Sequence, residues 1–187
     1  MRAEWMITQK QLDDAKQWTE KFYPAKSYRD GSFRDRFIGR LGETSVQMWL
    51  KSQRAKVVEG PKFQHDLIAQ SSCGSKRIEV KSKWINGWPG GILNVNVRAD
   101  QLTYQKNDTN YYVFTFIHPC QNTDYVPAET WQCTIVGMES PKFIPLLWTL
   151  VREGDKLQFN DTVSRYDMYV QRNDKLQSVK YLAAYLR

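Results

Sequence analysis

Cysteine and histidine are scarce in this sequence. Its 187 residues include three cysteines (Cys73, Cys120 and Cys133) and two histidines (His65 and His118). The cysteines are odd in number, far apart and without a C-x-x-C pair. That pattern argues against a disulfide framework and against a zinc site, and reduced thiols are expected. No apolar run of about eighteen residues occurs, so no transmembrane helix and no membrane partner are expected. Met1-Arg2-Ala3-Glu4-Trp5 is not followed by an apolar h-region, so no secretory signal is expected either. A cytoplasmic setting, in a bacterial, archaeal or phage-infected cell, is the expectation. Internal repeats, low-complexity runs and a clear interdomain linker are also missing.

The residues present fit one domain with a sizeable core: 41% are apolar, and seven tryptophans and ten tyrosines occur. Mean hydropathy is nevertheless −0.62. The net charge of +7 is uneven. Residues 1–60 carry 12 basic and 8 acidic side chains, residues 61–120 carry 7 and 4, and residues 121–187 carry 8 and 8. The whole excess lies in the first two thirds, which suits a polyanionic partner.

Along the chain, residues 8–22 predict a helix with Thr8 and Gln11 as a capping box and Leu12, Ala15, Trp18 and Phe22 as its apolar face. Pro24 ends it, and Arg29-Asp30-Gly31 marks a turn. Residues 33–53 predict a second helix with a stripe of Phe37, Leu41, Val46, Trp49 and Leu50. Gly39 and Gly42 sit inside it. A helical glycine costs about 1 kcal/mol against alanine, so two of them imply a reason such as close backbone packing. Glu43 borders the stripe. Short strands are predicted at 55–58, 65–69 and 77–81, then a Gly- and Trp-rich loop at 84–91, a strand at 92–97 and a helix at 100–107 that turns Leu102 and Tyr104 inward. Tyr111–Ile117 is the strongest strand, apolar enough to be covered on both faces. A strand at 131–136 is expected to break at Gly137, with a helix at 141–151, strands or loops over 155–159 and 166–170, and a closing helix at 176–186.

Chemistry concentrates between Asp66 and Lys81. In the strand Arg77-Ile78-Glu79-Val80-Lys81 the side chains alternate, so Ile78 and Val80 point one way and Glu79 and Lys81 the other. If this strand pairs with the one that begins at Asp66, two carboxylates and an ammonium share a patch. A divalent metal and a phosphodiester need that combination. The bland alternative is a surface cross-strand pair worth well under about 1 kcal/mol.

This order of helix, three strands, helix and strand, with Asp on one strand and Glu-x-Lys on the next, resembles the PD-(D/E)xK nuclease superfamily over about residues 34–117. The proline that family carries before the Asp is replaced here by His65. The resemblance implies an α/β fold: a restriction-endonuclease-like core (α-β-β-β-α-β, a mixed sheet flanked by helices) over 33–117. An N-terminal helical segment (1–32) and a C-terminal α+β extension (118–187) would flank it. It implies Asp66, Glu79 and Glu43 as metal ligands with the Val80 carbonyl, and Lys81 as the catalytic lysine that places the attacking water. It also implies Mg²⁺, with Mn²⁺ as a substitute, and no organic cofactor. The expected function is metal-dependent DNA endonuclease activity, with a homodimer suited to cutting both strands and a monomer to nicking. The other class is a non-catalytic nucleic-acid-binding or assembly protein on the same fold. Three converging acids repel phosphate unless a metal intervenes, which discriminates the two.

Five further residues are candidate substrate contacts, each with a simpler role beside it. Gln101 either reaches the site or is a solvated helix position. Ser82 and Lys83 either touch phosphate or are simply exposed, and Arg40, with Arg34 and Arg36, either touches phosphate or forms a solvated helix face. Trp84, with Trp88, either stacks on bases or packs as a lid on the core. No helix-turn-helix or zinc finger is recognisable, so specificity is assigned to the 84–98 loop, the N-terminal helices or residues 118–187.

Overall fold

The computed structural model describes residues 2–23, 33–61, 66–72, 74–86, 91–105, 109–119, 131–157 and 163–186. The turn at Arg29–Gly31, Pro24, His65, Cys73, Trp88, Cys120 and the side chain of Tyr104 lie outside the described residues.

The chain opens with a strand, β1 (Ala3–Ile7), where a helical segment is expected. Ala3 and Ile7 are buried while Glu4 and Met6 face out, the period-two pattern of a half-covered strand. Helix α1 (Gln9–Phe22) follows with the expected capping box. Gln11 N–H donates to Thr8 Oγ1 at 3.2 Å, and Thr8 N–H donates to Gln11 Oε1 at 3.1 Å. Ala15 is buried as expected, and Leu12 packs on the core. Trp18 and Phe22 meet edge to face at 5.3 Å.

Helix α2 (Phe33–Ser52) buries Ile38, Leu41, Gly42, Ser45, Val46, Trp49 and Leu50. Strands β2 (Lys56–Glu59), β3 (Leu67–Ser71) and β4 (Gly74–Trp84) come next. They are followed by β5 (Asn94–Arg98), α3 (Ala99–Gln105), β6 (Tyr111–Pro119) and β7 (Trp131–Glu139). The main sheet is mixed and six-stranded, in the order β1-β7-β6-β4-β3-β2. β4 and β6 are parallel, and every other neighbouring pair is antiparallel. β6 is covered on both faces. Val113 and Ile117 join the core under α2, and Tyr112, Phe114 and Phe116 join a second core with Val95, Val97, Leu102 and Trp148.

Two expectations fail at β7. The main sheet does not end at residue 117, since β7 pairs with β6 on one side and β1 on the other. Gly137 does not break the strand. The strand runs through it with a register shift at Phe114/Thr115, and a Cβ there would lie 2.5 Å from Leu176 Cβ. Glycine is needed at that point because the segment before the last helix crosses there, with Met138 N–H bonding Gln177 O at 2.9 Å. The helix expected at 141–151 shrinks to α4 (Ile144–Leu147), followed by β8 (Thr149–Val151). Pro145 contributes no N–H, and Thr149 and Val151 are β-branched.

β9 (Met168–Arg172) pairs with β8 and β5 to make a second, three-stranded sheet ordered β5-β9-β8. A 3-10 turn (Asn173–Lys175) and α5 (Val179–Tyr185) finish the chain. Among the described residues no helix is long and apolar enough to cross a membrane.

Candidate active site

β3 and β4 pair antiparallel, with Leu67 opposite Ile78 and Ile68 opposite Arg77. Asp66 stands just before β3, and the Val80 N–H donates to its Oδ2 at 2.7 Å. The alternation along β4 holds. Ile78 and Val80 enter the core under α2, while Lys81 Nζ donates to Glu79 Oε1 at 2.9 Å. Lys81 also donates to Gln101 Oε1 at 3.2 Å, so α3 brings Gln101 to the charged face. On the neighbouring strand Tyr112 lies in register with Glu79, and Lys81 Nζ sits 5.6 Å from the centre of its ring.

Glycine sets how closely α2 approaches this strand. A Cβ on Gly42 would sit 1.8 Å from Ser82 Oγ and 2.8 Å from Thr115 Oγ1, so at this position the helix backbone rests directly on β4 and β6. Gly39 has nothing within 4 Å, and no packing reason accounts for it. Glu43 follows Gly42 and is held by Arg40. The guanidinium bonds Glu43 Oε2 at 3.2 Å and Glu59 Oε1 at 2.6 Å, and it lies 5.0 Å from the centre of the Trp18 ring.

The electrostatics tie these acids together. Burial raises the Asp66 carboxyl well above its ordinary value, and the charges of Glu43 and Glu79 raise it further. The Val80 N–H and Lys81 oppose that shift without cancelling it. Burial also raises Glu43, against Arg40 and with help from Glu79 and Glu59. Burial raises the Tyr112 phenol too, and Glu79 and Asp66 add to the effect. Asp66 and Glu43 therefore both feel the charge of Glu79 in a poorly solvated place. Each has one oxygen bonded, to Arg40, Val80 N–H or Lys81, and its other oxygen has no hydrogen bond among the described residues. Among the described residues no group of three His, Cys, Asp or Glu closes into a metal cage. Mg²⁺ does not require one, since it commonly takes one or two carboxylates and keeps several waters. The donor set is hard, oxygen-only and short of positive charge, which fits such an ion.

The remaining candidates divide. Lys83 is exposed, two residues beyond Lys81 on the same strand face. Ser82 points the other way, accepts from Thr115 Oγ1 at 3.0 Å and packs under Gly42, which is a structural position. Arg40 is committed to two carboxylates. Trp84 packs on Trp131 with ring centres 4.7 Å apart and donates to Asn86 Oδ1 at 2.8 Å, so it covers the core. Arg34 and Arg36 also lie over rings, of Trp84 and Tyr23. His118 is buried against Thr134 Oγ1, and Cys133 is buried, so both belong to the core. Sequence reasoning passed over Tyr112, which is fully buried in the second core and touches the charged face. Its signal was a hydroxyl inside a strand apolar enough to be covered on both faces. The i,i+3 spacing of Arg40 and Glu43 was equally legible.

No family model, curated protein or solved structure matches the chain.

Proposed function

We propose that this protein is a metal-dependent DNA endonuclease that hydrolyses phosphodiester bonds with a PD-(D/E)xK site on a restriction-endonuclease-like core. The observation that carries the reading is the coupling of Glu43, Asp66 and Glu79 around one place beside Lys81. Acidic neighbours that raise the proton affinity of Asp66 and of Glu43 are costly in a fold unless a cation relieves them. The element order α2-β2-β3-β4-β5-α3-β6, in which β5 leaves the main sheet for the second one, with Asp66 at the head of β3 and Glu79-Val80-Lys81 on β4, supports the same reading.

Glu43, Asp66, Glu79 and the Val80 carbonyl would hold Mg²⁺, or Mn²⁺ in its place. A bound ion of that kind neutralises a scissile phosphate and acidifies water. The chain's own part is positioning. Lys81 has three N–H donors, and Glu79 and Gln101 take two of them. The third is left to orient a water for attack on phosphorus. Gln101 and the Tyr112 ring fix the amine, and Arg40 fixes Glu43. Lys83 supplies an exposed cation beside the site for the DNA backbone.

Cleavage assays test this directly. Supercoiled plasmid, linear duplex, single strands, a four-way junction and RNA would each be incubated with Mg²⁺, Mn²⁺ or EDTA. Metal-dependent cutting of DNA that both Asp66→Ala and Lys81→Ala abolish is the expected result. Cutting that survives in either variant would remove the site assignment. The competing reading is a non-catalytic nucleic-acid-binding or assembly protein, favoured by the absence of a closed three-acid cage among the described residues. Binding without cleavage in every metal would select it.

A further inference from the structure

The second sheet has an outer face that the proposed chemistry does not use. Val95 and Val97 of β5 are buried in the second core, so Asn94 and Asn96 face away from it. The register carries that outer face across the sheet. Asn94 lies opposite Arg172, Asn96 opposite Val170, and Val170 opposite Thr149. Val151, two residues on from Thr149, shares the same side. A groove of about 440 Å³ lies over this face, lined by Asn94, Thr149, Val151, Val170, Arg172 and Lys156 among others. Its size falls within the roughly 300–1,000 Å³ of small-molecule sites.

The groove neighbours a narrower cleft that reaches Lys81 of the candidate active site. That cleft runs beside Lys81 and Lys83, between β4 and β5, and is lined by Asn94 and Asn96. Asn94 borders both spaces. From Lys81 and Lys83 the lining leads to the Asn94 amide and then to a floor of Val151 and Val170 with Lys156 and Arg172 at its sides. The one acid in the lining, Asp155, accepts the Arg152 N–H at 3.0 Å and belongs to its own turn. Arg172 is paired with Asp174 at 2.7 Å, so its charge is partly offset, whereas Lys83 is exposed in the cleft. Cations spaced along a path, an amide at the junction and an aliphatic floor suit a strand of nucleic acid. Phosphates meet the lysines, an amide can hydrogen-bond a base edge, and an apolar floor takes the face of a base.

We propose that this groove is a subsite for one unpaired nucleotide of the DNA, next to the scissile phosphate, and that Asn94 helps set its specificity. This rests on the reading of the site as a nuclease. It adds a binding subsite on a sheet separate from the one that carries the carboxylates.

The test separates the two by measuring binding without catalysis. Fluorescently labelled single-stranded and nicked-duplex DNA would be titrated in EDTA, with anisotropy as the readout, using wild type, Val170→Trp, Lys156→Glu and Asn94→Ala. Val170→Trp fills the groove from the middle strand and is expected to weaken binding tenfold or more. Lys156→Glu is expected to weaken it and to flatten its salt dependence, and Asn94→Ala to change the ranking of oligonucleotides that differ in one unpaired base. Thermal unfolding checks each variant. If Val170→Trp does not fold, Lys156→Glu and Asn94→Ala decide. Wild type that binds no DNA, or folded variants that all bind within twofold of wild type, would overturn the subsite. Asp66→Ala judges the nuclease reading separately, through cleavage in Mg²⁺. Weakened binding by the groove variants with no cleavage by wild type would leave a nucleotide-binding groove standing and remove the nuclease, and with it the place beside a scissile phosphate.

Discussion

Gly39 and Gly42 occupy the same helix three residues apart, and alanine is expected to act oppositely at the two. In both cases the helix gains about 1 kcal/mol from propensity. At Gly39 a Cβ meets nothing within 4 Å, so the gain stands. At Gly42 the Cβ would lie 1.8 Å from Ser82 Oγ, 2.8 Å from Thr115 Oγ1 and 2.9 Å from Ser82 Cβ. Rotating Ser82 would clear its hydroxyl but not its Cβ, and it would break the 3.0 Å bond from Thr115. The helix must therefore lift from the sheet. Overpacking costs about 1–3 kcal/mol and more when backbone has to move, so a net loss of about 2 kcal/mol is expected. In a domain of this size about 1 kcal/mol shifts Tm by roughly 2–4 °C. Gly42→Ala should then melt roughly 4–8 °C below wild type and Gly39→Ala roughly 2–4 °C above it. Urea unfolding with unchanged m-values checks the free energies. Lifting α2 also carries Glu43 away from Asp66, so cleavage should fall in Gly42→Ala and not in Gly39→Ala at a temperature where both are folded. Equal stabilisation by the two alanines would refute the close approach of α2 to β4.

Two further outcomes follow from the acids. The Asp66 carboxyl is raised in the folded state, so the native protein holds a proton that an unfolded Asp, titrating near 3.9, has lost. The cost is absent below that value and grows as pH rises through the folded value. Asp66→Asn should therefore match wild type near pH 4 in EDTA and exceed it in Tm at neutral pH. Mg²⁺ should raise the Tm of wild type more than that of the variant. A variant less stable than wild type at pH 7 without metal would contradict the coupling. Arg40→Met leaves Glu43 and Glu59 without their shared partner and is expected to cost about 1–3 kcal/mol, measured by urea unfolding. It should lower kcat more than it raises KM, because Arg40 holds an acid and not the substrate.

The sequence was most legible where a residue answers to its neighbours. Thr8 and Gln11 announce a capping box, and the run from Tyr111 to Ile117 announces a strand with two covered faces; both need only local rules. Glu79 and Lys81 share a face because any pleat places them so. What was not legible depends on distant partners. Gly137 reads as a breaker until Leu176 and Gln177 cross it. Trp84 reads either as a base-stacking residue or as a lid on the core, and nothing local announces its packing on Trp131. Ser82 reads as a phosphate contact or an exposed residue until α2 rests on it, and Tyr112 takes its place in the site from the parallel register of β4 and β6. β1 was missed because five residues with one glutamate carry little propensity, and its pairing with β7 supplies the rest.

That pairing has a consequence for how the chain comes off the ribosome. β1 is made long before its partner strand, since Ala3 pairs with Ile135 and Ile7 with Trp131. β6, with its apolar side chains, likewise waits for β7 to cover its second edge. A nascent chain that ends near residue 117 would hold the acids and Lys81 but leave an open, hydrophobic strand edge, the kind that joins to other chains. Acids and lysine alone thus do not make a separable unit. Non-local pairing of this sort slows folding, and it makes residues 131–139 the segment on which completion of the sheet depends.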